Sequence, residues 1–140
     1  MPIDRFGNLR DWGPVMEQLD RLCKQGELGQ HRRGLARILR YRDNWQLREA
    51  ALKYARAVSD PTDELLESAL AIMMDENIYY DARILAAETL ADLAPRRTVE
   101  NCASSGLTPQ FIREKMDALM DSPQTPRFHR AIDSVRQSLS

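Results

Sequence analysis

Two stretches of the chain align at a spacing of 35 residues: LREAALKYARAV at 47–58 and ARILAAETLADL at 82–93. Arg48 aligns with Arg83, and Ala51 aligns with Ala86. In each stretch the apolar residues lie three and four positions apart, which is the spacing of one face of a helix. A period of this length is typical of proteins in which similar helix pairs stack along one axis.

Helical spacing continues on both sides of this repeat. It predicts seven helices, and no segment favours a strand. Two of the predicted starts share the pattern Thr-Pro-X-Phe, at Thr108 and Thr125, where threonine suits the cap and proline the first helical position. Pro95 is expected to end the fifth helix. The predicted helices begin near residues 12, 30, 45, 61, 79, 109 and 126.

The same spacing assigns side chains to the interior. Trp12 and Phe111 fall on the apolar faces of the first and sixth helices, and Cys23 is expected to be a buried thiol. Tyr79 and Tyr80 open the fifth helix, so we expect one ring to face the core and the other to face solvent.

The second stretch resembles the HEAT-like repeat family of α-solenoids. The first helix of that family reads roughly apolar-Arg-x-x-Ala-Ala-x-x-Leu-Gly-x-apolar, with an aspartate just before it. The matching residues are Asp81, Ala82, Arg83, Ala86, Ala87, Leu90 and Ala91. The stretch at 47–58 matches less closely, because Leu52 and Arg56 stand where the family has small residues.

This resemblance implies an all-α fold, namely a short right-handed α-solenoid of about three to four antiparallel helix pairs. The whole chain, 1–140, is expected to form one such domain. Its clearest repeats lie at 43–94, with degenerate end units at 11–41 and 108–139, because terminal repeats present a polar outer face. The alternative is an unrelated helical bundle whose alanine-rich helices align by chance.

Composition narrows the class of protein. With 140 residues and 43% of them hydrophobic, the chain is long enough to bury a core, which argues against overall disorder. A net charge of −1 argues against a general polyanion binder. Cys23 and Cys102 are too few for a disulfide framework, and no apolar run has the length of a signal peptide or membrane span. We therefore expect a cytoplasmic protein with no membrane partner.

The small net charge hides a separation of charge along the chain. Residues 21–56 carry a net charge of +7, and residues 60–92 carry −8. Arg33, Arg37 and Arg40 share one helical face, which suits phosphate or an acidic partner protein. Nucleic acid fits poorly, because the acidic segment would repel its backbone. Alternatively, the two segments neutralise each other where they meet, or both are ordinary solvated faces.

Signals for catalysis are weak. His31 and His129 lie far apart, and neither neighbours a serine or cysteine in a known nucleophile setting. Cys23, Glu27 and His31 have metal-ligand spacing on a helix, but Gly26 interrupts that helix. The glycines are too scattered to cradle a phosphate. We therefore expect no catalytic residue, no metal and no cofactor.

The leading hypothesis is a non-enzymatic module that binds or scaffolds another protein through a solenoid surface. The candidate contacts are Arg33, Arg37, Arg40, Trp45, Arg48, Tyr79, Tyr80 and Arg83. A second hypothesis follows from the resemblance, since some HEAT-like families assist bilin attachment and others excise alkylated DNA bases. A third is self-assembly into a homo-oligomer, with the basic segment of one copy docking on the acidic segment of another.

Overall fold

The computed structural model describes residues 6–96 and 107–139, and the all-α prediction is confirmed there. These ranges contain seven α-helices and no strand. None of these helices has the length and apolar character needed to cross a membrane. The helices are α1 Trp12–Lys24, α2 Arg32–Leu39, α3 Trp45–Ala55, α4 Asp63–Met74, α5 Tyr80–Leu93, α6 Pro109–Met120 and α7 Pro126–Ser138.

The two Thr-Pro-X-Phe starts form as predicted. Thr108 Oγ1 accepts a hydrogen bond from the Phe111 backbone N–H at 3.0 Å, and Thr125 Oγ1 accepts one from Phe128 at 3.3 Å. Each cap satisfies an amide group at the start of the helix that has no partner within it. The first residues of α6 and α7 are therefore determined by local chemistry.

Two other helices begin later than predicted. Thr62 caps α4 by accepting the Leu65 amide at 3.2 Å, so Pro61 precedes the helix instead of lying in its first turn. The second predicted helix divides into a short 3₁₀ turn, Leu28–His31, and α2. Gly26 has a φ of +70° just after α1, a conformation that glycine adopts at little cost and that turns the chain towards this 3₁₀ segment.

The helices pack as consecutive pairs. Helix α2 contacts α3, α4 contacts α5, and α6 contacts α7, with a short turn joining the members of each pair. Neighbouring pairs meet through α2 with α4, α3 with α5, and α5 with α7, while α1 packs on α3. Thus α1, α3, α5 and α7 form one row, and α2 and α4 lie side by side in another.

Small side chains let α3 and α5 approach each other closely. Ala51, Ala55, Ala82 and Ala86 are all completely buried. Buried Thr89 lies where the two helices meet, and its single hydroxyl hydrogen is shared between the Leu85 carbonyl of α5, 2.9 Å from Oγ1, and the Leu52 carbonyl of α3, 3.1 Å from Oγ1. The alanine pattern noted in the sequence is therefore a packing feature.

The repeat has a different phase from the family motif that it resembles. In that motif the arginine-bearing helix is the first of its unit. Here Arg48 and Arg83 lie on α3 and α5, which pack on the helices that precede them, α2 and α4. The arginine-bearing helix is therefore the second member of each pair.

Three assignments to the interior are wrong. Trp12 is 48% exposed because it is the first residue of α1, before that helix reaches the core. Phe111 is 39% exposed and lines an open groove between α4 and α6. Cys23 is a free thiol that is only half-buried. Cys102 lies outside the described residues.

Candidate binding surface

Two of the candidate contact residues turn out to be internal supports. Arg48 Nε donates a hydrogen bond to the Leu39 carbonyl at the end of α2, at 2.8 Å. Arg83 Nε does the same to the Met73 carbonyl near the end of α4, at 2.9 Å. The two residues are only 6% and 3% exposed, so little of either side chain is accessible to a partner. They satisfy carbonyls that have no partner within their own helix.

Aromatic rings cover both guanidinium groups. The Arg48 guanidinium lies 4.2 Å from the centroid of the Trp45 ring. The Arg83 guanidinium lies 5.3 Å from the Tyr80 ring and 4.5 Å from the Phe128 ring. These distances are within the range in which the negative face of a ring attracts a cation. Each arginine therefore couples the end of one helix to an aromatic residue near the start of another.

The environment of Arg48 also affects its protonation. Burial lowers the pKa of the Arg48 guanidinium, Arg42 lowers it further, and Asp75 opposes the change. Arginine begins from so high a pKa that it keeps its charge at neutral pH. The hydrogen bond to Leu39 is therefore a charge-assisted one.

A weaker version of this contact occurs in the third pair. His129 Nε2 lies 3.2 Å from the Ser122 carbonyl, which follows the end of α6. His129 is the fourth residue of α7, just as Arg48 and Arg83 are the fourth residues of α3 and α5. The sequence alone does not reveal this equivalence, because His129 follows Arg83 by more than 35 residues and aligns with it only when the helix starts are known.

Three aromatic side chains, Trp45, Tyr79 and Tyr80, form a row along the turns; we call it the aromatic row. Trp45 and Tyr79 meet edge to face, with ring centroids 5.4 Å apart and an interplanar angle of 74°. The Tyr80 hydroxyl donates a hydrogen bond to Gln124 Oε1 at 2.8 Å. Tyr79 is 45% exposed and Tyr80 37%, so the expectation that one ring is internal is wrong. The row thus extends from the α2–α3 turn to the α6–α7 turn.

The arginines of α2 have unequal roles. Arg37 is half-buried and its Nη2 donates a hydrogen bond to the Gly7 carbonyl at 2.7 Å, which fastens the start of the described chain to α2. Arg33 and Arg40 are exposed, and their side chains have no hydrogen bond or ion pair with any described residue. Among the four arginines from Arg32 to Arg40, Arg33 and Arg40 can therefore bind a partner without first giving up a hydrogen bond or ion pair to a described residue.

Ion pairs join the basic segment to the acidic segment. Arg32 Nη1 lies 3.0 Å from Asp60 Oδ2. Arg56 pairs with Asp92 and lies 3.8 Å from Glu88. These contacts favour the interpretation in which the two segments neutralise each other where they meet.

Within residues 6–96 and 107–139, no group of three or more histidine, cysteine or acidic side chains is placed to hold a metal ion. Nothing in the sequence singles out Gln124, which accepts the hydrogen bond of Tyr80, or the exposed Arg42 beside the start of α3. Comparisons of the chain with protein-family models, with curated proteins and with solved structures find no match.

Proposed function

We propose that the protein is a non-enzymatic module that binds another protein through the aromatic row. The observation that carries this proposal is the edge-to-face pair of half-buried Trp45 and exposed Tyr79, in which the Trp45 ring lies against the buried guanidinium of Arg48. Large rings that stay exposed while their bases are held in place are typical of residues that dominate interface energies.

The support beneath the row favours tight binding. Arg48 contacts both the Trp45 ring and the end of α2, and Arg83 contacts both the Tyr80 ring and the end of α4. The rings are therefore ordered before a partner arrives. Less side-chain freedom is lost on association, so more of the gross interaction energy remains as affinity.

The charge near the row suggests the chemistry of the partner. Arg40 and Arg42 lie in the α2–α3 turn beside Trp45, are exposed, and have no ion pair with any described residue. An acidic residue on the partner would find these guanidinium groups unoccupied. We therefore infer that the partner presents apolar or aromatic side chains followed by acidic ones.

We also infer that the helix pairs form a short solenoid. The supporting features are the 35-residue spacing of Arg48 and Arg83, the equivalent hydrogen bonds of these residues, and the side-by-side packing of α3 with α5. In such an arrangement equivalent turns line up along one edge, which is where the aromatic row lies. Self-assembly through opposite charges is less favoured, because Arg32 and Arg56 already pair within the chain.

A capture experiment tests the aromatic row. The wild-type protein and three variants, Tyr79→Ser, Tyr80→Ser and Trp12→Ser, are immobilised and exposed to extract from the native cell. Trp12 is the matched control, because it is an exposed ring outside the row. We expect one protein to be retained by wild type and Trp12→Ser and to be lost with the two tyrosine variants. Identical retention by all four proteins would overturn the proposal.

A further inference from the structure

An open groove of about 480 Å³ lies between α4 and α6. Most of the described residues that line it are apolar, and they are Leu70, Ala71 and Met74 of α4, Leu107 just before α6, and Phe111 of α6. In the other row α5 packs directly on α7, whereas α4 packs on α2 and α5 and is parted from α6 by the groove. The groove is therefore an apolar depression between two helices whose own partners pack on each other.

The groove leaves apolar side chains open to solvent and has the dimensions of a ligand site. Phe111 is 39% exposed, Ala71 is exposed and Met74 is half-buried. On α4 the lining extends from Glu67 to Met74, a rise of about 10 Å along the helix. The volume falls within the range of small-molecule sites, which are mostly apolar with a few polar groups that orient the ligand. An elongated apolar ligand would cover these side chains and remove their apolar area from water.

Two charged side chains complete the described lining, one from each helix. Lys115 of α6 follows Phe111 by one helical turn, and its Nζ lies 5.2 Å from the centroid of the Phe111 ring. Glu67 belongs to α4. Neither side chain has a hydrogen bond or ion pair with any described residue. The ring contact holds the ammonium group at the apolar wall, where it can pair with one carboxylate, whereas Glu67 would repel a second negative charge.

We propose that this groove, which we call the α4–α6 groove, binds an apolar chain that ends in a single carboxylate, as in a fatty acid. The chain covers Met74 and Phe111, and the carboxylate pairs with Lys115. A neutral chain fills the same apolar lining but leaves the ammonium group without an anion. A dianion fits less well, because its second charge meets Glu67. The α4–α6 groove shares no residue with the aromatic row, so this proposal does not depend on the proposed function.

The test is a titration of the protein with decanoate, below the concentration at which it forms micelles, followed by NMR of labelled methionine methyl groups. At about pH 7.5 the carboxyl group of decanoate is ionised. We expect saturable binding that shifts the methyl signal of Met74 and leaves that of Met16, on α1, unchanged. Decanol, which has the same chain without the charge, should bind about threefold more weakly, because an exposed ion pair contributes little.

Substitutions of the two charged residues should act in opposite directions. Lys115→Gln should weaken decanoate binding by about threefold and leave decanol binding unchanged. Glu67→Gln should tighten decanoate binding, because it removes a like charge from the lining. Phe111→Ser should weaken the binding of both ligands by about tenfold, since it removes apolar area. Lys53→Gln and Trp12→Ser are the matched controls, because both replace exposed side chains outside the groove; neither should change either affinity.

The proposal is overturned if decanoate shows no saturable binding, if decanol binds as tightly as decanoate, or if Lys115→Gln binds decanoate as tightly as wild type. Two further measurements then identify a different occupant. Dissociation of a dimer by Phe111→Ser in sedimentation would assign the groove to a second copy of the chain. Loss of a captured protein with Phe111→Ser would assign it to a partner protein. None of the decanoate results bears on the capture experiment with Tyr79→Ser and Tyr80→Ser.

Discussion

Arg48 and Arg83 make the same contact at positions 35 residues apart: each Nε donates a hydrogen bond to a carbonyl at the end of the preceding helix. Each guanidinium also lies against the ring of the residue three positions earlier, Trp45 or Tyr80. A repeat in sequence thus corresponds to a repeat of hydrogen bond and ring contact. The relationship explains why arginine, with its planar fork and fixed charge, recurs at this position.

Replacing either arginine with methionine should destabilise the protein. Methionine keeps part of the buried chain but leaves the Leu39 or Met73 carbonyl without its donor. We expect Arg48→Met and Arg83→Met each to lower the free energy of unfolding by about 2 kcal/mol. Urea denaturation measures this, with exposed Arg130→Met as a control that should stay within about 0.5 kcal/mol of wild type. A midpoint unchanged in both buried variants would show that these hydrogen bonds are not structural supports.

Removing the threonine cap of α7 should have a smaller effect. Thr125 Oγ1 accepts the Phe128 amide, and alanine has no atom to replace it. Thr125→Ala is expected to cost about 1 kcal/mol of stability, while Thr125→Ser, which keeps the hydroxyl, should cost much less. Thermal unfolding of the three proteins distinguishes them. Equal losses for alanine and serine would mean that the methyl group, and not the hydroxyl, matters here.

The ion pair between Arg56 and Asp92 should contribute little on its own. Their side chains are 41% and 37% exposed, so water screens the attraction. A double-mutant cycle with Arg56→Gln and Asp92→Asn should give a coupling energy below about 1 kcal/mol, decreasing as salt is added. A coupling that is larger, or independent of salt, would show that the junction between the basic and acidic segments is more strongly held than its exposure implies.

The ionisation of Asp20 should make the stability of the protein depend on pH in the acid range. The hydrogen bond from Lys24 holds the pKa of Asp20 below its ordinary 3.8, burial partly opposes this, and a hydrogen bond from Tyr54 lowers the pKa further. The pKa of Asp20 is lower in the folded protein than in the unfolded chain. Ionised Asp20 therefore stabilises the fold above pH 3.8, and this stabilisation is lost as the pH falls through the pKa of the folded state. We expect Lys24→Gln to raise the pKa of Asp20 by more than Tyr54→Phe does, as measured by NMR of the carboxyl carbon. A larger effect of Tyr54→Phe would reverse the assigned order of causes.

The sequence predicts most of the fold because its signals are local. A threonine before proline specifies the starts of α6 and α7 within a few residues, and the alanines at 51 and 86 mark the close packing of α3 and α5. The exposure of Phe111 is not encoded in this way. It depends on how far α6 lies from α4, which is a property of tertiary packing and not of helical period.

The candidate surface was less predictable. Periodicity places Arg48 at the start of a helix, but it does not decide whether the guanidinium points to solvent or back to the preceding helix. That choice depends on the short α2–α3 turn, which brings the Leu39 carbonyl within reach.

In the solenoid that we propose, the equivalence of Arg48 and Arg83 makes each 35-residue segment a repeating unit. Duplicating residues 45–79 in tandem would insert another pair whose arginine meets the same kind of carbonyl and whose first residue is again tryptophan. The number of aromatic rings along the turns would then grow with the number of copies of this segment, while the terminal helices stay unchanged. Under the proposed function, a lineage that copied this segment would lengthen the surface offered to a partner before it changed which residues contact that partner.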